Sequence, residues 1–144
     1  MSVKENLKIA KELYDAFNSK DFSNSQNLID DNAQFQLVPF NTKLFGKEGY
    51  LQVVQGWANT FPDGFCDIIN ITASEDGAAV EFIGRGTQNG SLFSPAGEIK
   101  PTGKRVNVPF CEVMKIKNGK VISLNTYFDV ATMMHQLELV PEKV

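Results

Sequence analysis

Few of the residues that usually carry metal or thiol chemistry are present. The chain has two cysteines, Cys66 and Cys111, and one histidine, His135. The cysteines are far apart and in no CxxC spacing, and without a Cys/His cluster a zinc site is not expected. Two isolated thiols suit a reduced, cytoplasmic protein better than a disulfide framework. No apolar run approaches membrane-spanning length, and the N-terminal MSVKENLK lacks the apolar stretch of a secretory signal. A basic excess is missing too. The net charge is −3, which offers nothing to nucleic acid or an anionic membrane. No G-x-S-x-G nucleophile occurs. The glycines between Gly84 and Gly90 lack the Lys-Ser/Thr ending and the strand-to-helix setting of a phosphate loop. There is no repeat, low-complexity segment or linker, and 144 residues suit one domain, 1–144, with one core.

What the chain does have is phenylalanine: eleven, against one tryptophan and three tyrosines. This bias suggests an interior lined by plain apolar rings. Ser2 and Glu5 form a capping box ahead of a helix with Val3, Leu7, Ala10, Leu13, Tyr14 and Phe17 on one stripe. A short helical piece over 23–29 leads to a turn at Asp30-Asp31-Asn32, and 33–38 reads as a strand. Phe40, Asn41 and Phe45 read as loop, then 47–60 as a helix carrying Tyr50 and Trp57. Pro62-Asp63-Gly64 breaks it. From there the apolar period changes to two, over 65–74, 78–88, 105–117 and 121–129, with 89–100 as a loop. Asn118-Gly119 makes the last hairpin turn, and a short helix runs over about 130–137. Helices first and a meander of long antiparallel strands after them is an α+β pattern. It predicts a curved sheet wrapped around about three helices, a cone whose interior could hold a small hydrophobic molecule.

The stretch from Asn118 to Gln136 organises the rest. Strand alternation puts Asn125, Tyr127 and Asp129 on one side, with Thr126 and Phe128 on the other. Asp129 is the candidate acid/base, and Tyr127 and Asn125 are candidate donors to an enolate oxygen. Two other readings stay open: Asp129 as only the N-cap of the last helix, and Tyr127 as a buried ring with a satisfied hydroxyl. Glu112 shares parity with Phe110, Met114 and Ile116, and a lone Glu on an apolar face is unusual. It is a second acid/base or an anchor, unless it sits at the rim or a bulge near Pro109 turns it outward. Gln88 follows the Val80–Phe82–Gly84–Gly86 face toward the interior, where two glycines let the sheet bend or leave room. Trp57 and Tyr50 are candidate walls, or simple core. His135 is expected to face solvent.

Taken together, several motifs give a resemblance across nearly the whole chain. They are Phe61-Pro62-Asp63, Gly86-Thr87 with Gly90, Pro101-Thr102-Gly103-Lys104, Asn118-Gly119-Lys120-Val121, and Phe128-Asp129 followed by Met134 and Gln136-Leu137. In these the chain resembles the SnoaL-like polyketide cyclase (ester cyclase) branch of the nuclear transport factor 2-like superfamily. The resemblance implies a cone-shaped α+β barrel, a homodimer through the sheet's outer face, and a cofactor-free acid/base reaction with the carboxylate at Asp129. On the outer face the strand over 105–117 would expose Cys111, Val113 and Lys115. The chain departs from the pattern at Gln88, where many relatives have His, and at Asn125, where many have Trp. Both are expected at the pocket, so the resemblance does not carry over a substrate.

Overall fold

The computed structural model describes residues 2–139. Helix α1, Val3–Ser19, begins where the Ser2 hydroxyl accepts from the Glu5 N–H at 3.0 Å, and ends at Lys20 in the left-handed conformation. A 3-10 turn over Ser25–Leu28 leads into strand β1, Ile29–Leu37. After a second 3-10 turn at Val38–Phe40 come strand β2, Thr42–Phe45, and helix α2, Gly46–Thr60. Strands β3, Phe65–Ala73, and β4, Gly77–Thr87, form a hairpin. A small hairpin follows, β5, Leu92–Ser94, and β6, Gly97–Ile99. The long strands β7, Arg105–Lys117, and β8, Lys120–Phe128, turn at Asn118-Gly119, both at positive φ, before helix α3, Val130–Gln136.

The six large strands form one curved, unclosed sheet in the order β2-β1-β8-β7-β4-β3. Register shifts in β1, in β3 between Ile68 and Asn70, and where β7 meets β8 add local twist and bend it. All its neighbours are antiparallel except β1 and β8, which run parallel. The expected all-antiparallel meander is corrected there: strands from opposite ends of the chain meet without a hairpin. The expected turn at Asp30-Asp31-Asn32 lies inside β1, where Asp30 accepts from the Asn32 N–H at 2.8 Å within a bulge. The expected loops at 41–45 and 89–100 contain β2 and the β5–β6 hairpin.

Helix α1 covers the sheet beside the edge strand β3. Asn18 pairs with both backbone groups of Cys66, donating to its carbonyl at 3.1 Å and accepting from its N–H at 2.7 Å. At the other end Asn6 donates to the carbonyls of Ser74 and Glu75. Asn18 thus occupies backbone groups of the edge strand itself, and Asn6 holds the turn that follows it.

The core has two joined parts. One lies under α1 and α2 around Ile9, Leu13, Tyr14, Phe35, Tyr50, Val80 and Phe82. The other, around Phe40, Phe61, Leu92, Phe128, Met133 and Leu137, packs α3 and the small hairpin against the end of the sheet.

Candidate active site

Register fixes what the concave face presents. Val80, Glu112 and Thr126 stand in one row across β4, β7 and β8, and Phe82, Phe110 and Phe128 in the next. The three rings form a ladder, with centroids 4.9 and 5.0 Å apart and nearly parallel planes. Trp57 of α2 lies across it, nearly perpendicular to Phe110 and Phe128 at 5.9 and 5.6 Å. Two of the three β4 glycines, Gly84 and Gly86, make space for rings. A Cβ on Gly84 would lie 2.7 Å from the Phe110 ring, and one on Gly86 2.9 Å from Phe61 Cβ.

Helices α1 and α2 scarcely touch, and a chamber of about 100 Å³ lies between them and the sheet. Its walls are almost wholly apolar: Leu13 and Phe17 of α1, Val53, Val54 and Trp57 of α2, and the ladder below. The polar side chains that reach it are few, and the carboxylate among them is Glu112.

Glu112 is held from both sides. Tyr14 donates its hydroxyl to Oε1 at 2.7 Å, and Thr126 donates to Oε2 at 2.6 Å. Glu112 is half-buried and lines the chamber. Burial pushes its carboxyl above the usual glutamate range, and the bonds from Thr126 and Tyr14, which act the other way, do not cancel this. Burial and then the Glu112 charge hold the Tyr14 hydroxyl well above its ordinary value, so it remains a donor. Tyr50 also lines the chamber but spends its hydroxyl on Ser25 Oγ at 2.8 Å. The Cys66 thiol borders the chamber and is pushed up by burial. Among the described residues no three His, Cys, Asp or Glu side chains converge as a metal site.

Three of the expected site residues meet here: Glu112, Trp57 and Tyr50. The other four do not. Asp129 is exposed, and its carboxylate accepts from the Thr132 N–H at 3.0 Å and hydroxyl at 2.6 Å as the N-cap of α3. Those bonds hold it below the usual carboxylate range. Tyr127 and Asn125 lie on the convex face, because the inward face of β8 there is Leu124, Thr126 and Phe128. Gln88 is fully buried but away from the chamber. It donates to the carbonyls of Ile99 and Lys100 and accepts from the Thr102 N–H and hydroxyl, so it pins the chain returning from the small hairpin. His135 is exposed, as expected. Sequence reasoning did not mark Tyr14 or Thr126 as site residues. Thr126, directly across from Glu112, was the one a register argument could have found.

A family model, SnoaL-like polyketide cyclase, matches residues 8–137. No curated protein sequence is significantly similar to the chain. Among solved structures, a candidate SnoaL-like polyketide cyclase from Jannaschia sp. CCS1 is similar at 18% identity, over 96% of this chain and 94% of that one, with a TM-score of 0.81. IdmH, a candidate polyketide cyclase from Streptomyces antibioticus, is similar at 26% identity over 92% and 98%, with a TM-score of 0.77. A protein with a ketosteroid isomerase-like fold from Catenulispora acidiphila is similar at 12% identity over 92% and 93%, with a TM-score of 0.76. With the matched region covering nearly all of the described residues, the chain belongs to the SnoaL-like polyketide cyclase family.

Proposed function

We propose that this protein is a cofactor-independent acid/base enzyme acting on a small, neutral, apolar carbonyl compound, by ring closure or isomerisation, with Glu112 carrying the proton. The observation that supports this most is a lone carboxylate facing an apolar chamber with its proton affinity raised by burial. Ionised Glu112 takes a proton from the carbon next to the carbonyl; in isomerisation, once neutral, it returns the proton to another carbon, and in ring closure the enolate carbon bonds to a second carbonyl carbon of the same molecule and Glu112 gives the proton to the alkoxide so formed. No group is gained or lost. Tyr14 and Thr126 fix the direction of the carboxylate so that less orientation is lost on reaction. Asp129, outside the chamber, is given no part in proton transfer. A positioned carboxylate base is worth on the order of 10²–10⁴ in rate.

The test is deuterium uptake at the α-carbon of simple ketones in heavy water, followed by NMR. Glu112→Gln should lower the rate by about 10²–10⁴-fold, while Asp129→Asn keeps it. Undiminished exchange in Glu112→Gln would falsify the assignment.

A second reading is a non-catalytic carrier of a hydrophobic ligand in the same chamber. One observation favours it: the two hydroxyls nearest the carboxylate are already engaged with it, which leaves an enolate oxygen no free hydroxyl there. A ligand recovered unchanged from the purified protein, with no exchange on any ketone, would support the carrier. Either reading includes a cytoplasmic homodimer joined through the convex face of the sheet, where Val113 and Tyr127 are exposed.

A further inference from the structure

We infer that the substrate is bifunctional: besides the carbonyl on which Glu112 works, it carries a second, uncharged oxygen acceptor, which the Lys20 ammonium holds at the rim of the chamber. This rests on the acid/base reading only for what happens at the first carbonyl.

The chamber wall reaches the surface where β3 begins. Gly64 and Phe65 both line the chamber, and Phe65 is 48% exposed. Lys20 stands at this rim. Its Nζ donates to the Gly64 carbonyl and lies 4.4 Å from the centroid of the Phe17 ring, and both of those residues are chamber walls. The stem is fixed as well: Lys20 ends α1 in the left-handed conformation, and its backbone N–H donates to the Phe17 carbonyl at 3.1 Å. The Cys66 thiol, another wall group, is pushed up by burial and by the Glu112 charge and drawn down by Lys20. The carboxylate and the ammonium therefore both act on the same wall.

What Lys20 lacks is a counter-ion. An ammonium has three donors. Gly64 engages one, and among the described residues no other acceptor bonds it and no carboxylate forms an ion pair with it. Burial lowers its proton affinity by more than the charges of Cys66 and Asp63 restore. A partly desolvated cation with donors to spare gains from an acceptor brought beside it. Arg85, the other cationic wall residue, is already engaged by Asp67 at 2.9 Å and Asn107 at 2.7 Å.

Glu112 sets the charge of that acceptor. An anion at Lys20 would add to the field in which Glu112 must ionise and raise its proton affinity further. Size sets its place. A dry cavity of roughly 150 Å³ takes up benzene. A chamber of about 100 Å³ holds of the order of one small ring, and the far end of anything longer comes out at the rim.

The only tryptophan, Trp57, is a chamber wall and reports on binding. Its fluorescence should be titrated with heptan-2-one and heptane-2,6-dione, which differ by the second oxygen. The dione is expected to bind about tenfold more tightly, the effect of a hydrogen bond from a charged donor. Lys20→Met should bring the dione down to the level of heptan-2-one, and Lys20→Arg should keep most of the preference. Equal binding of the two ketones by the parent, or a dione bound as tightly by Lys20→Met, would overturn the inference. So would a loss of both ketones alike in Lys20→Met, which marks a purely structural lysine. Failure of the acid/base reading looks different: the dione is still preferred through Lys20, but Glu112→Gln leaves deuterium exchange undiminished.

Discussion

On the acid/base reading proposed above, Glu112 would tie stability and activity to pH with opposite signs. Its folded-state proton affinity is raised above the ordinary value near 4.5, chiefly by burial. Between the two values the folded chain holds a proton that the unfolded chain has lost. This contribution to stability is therefore complete below the ordinary value and lost as pH rises through the raised one. The urea midpoint should fall over that window, and Glu112→Gln should flatten the fall. The base, in contrast, exists only once Glu112 ionises, so ketone exchange should climb over the same window. A pH-independent midpoint difference between parent and variant would remove the linkage. Asp129 behaves oppositely: its bonds from the Thr132 hydroxyl and N–H hold its carboxyl below the usual carboxylate range. Much of this residue's setting was legible beforehand, since Phe110, Met114 and Ile116 mark the inward parity of β7. The β8 residues were not. Alternation sorts them into two faces but does not name the inner one, and a register shift near Ile116 puts both Val121 and Leu124 inward. Tyr14 was hidden for another reason: its partner is 98 positions away.

At the level of elements, the edge strand β3 depends on one side chain of α1. Removing Asn18 leaves the Cys66 N–H and C=O without their partner. Asn18→Ala should lower stability by about 1–3 kcal/mol in urea unfolding, the cost of stranding buried polar groups. A change within error would mean that water replaces the amide. Asn6 is a less complete clasp, because its Oδ1 is buried without a partner. The helices and the long strands were readable from period alone, because each runs through several turns or alternations. β2, with four residues, and β5 and β6, with three each, are too short to show a period. Pairing with a neighbour, not local pattern, makes them strands.

Across the whole molecule, the convex face is where a second copy would bind. Val113 and Tyr127 are 43% and 44% exposed there, on adjacent strands. Light scattering should give twice the 16.0 kDa chain mass, and Val113→Glu should return the monomer. A parent protein that scatters as a monomer at working concentration removes the dimer.

The parallel pairing of β1 with β8 reaches beyond architecture to synthesis. Leu37 waits for Thr126, and Ile29 for Val121. While the chain is being made, α1, β1, β2 and α2 emerge with their apolar faces and no sheet to lie on. The β7–β8 hairpin, closed at Asn118-Gly119, supplies the edge with which β1 pairs. Distant pairings of this kind slow folding relative to a helical bundle of similar length. The last third of the chain is thus the template for the first, and a chain halted at Lys117 is not a shorter version of this protein but one whose interior has never been closed.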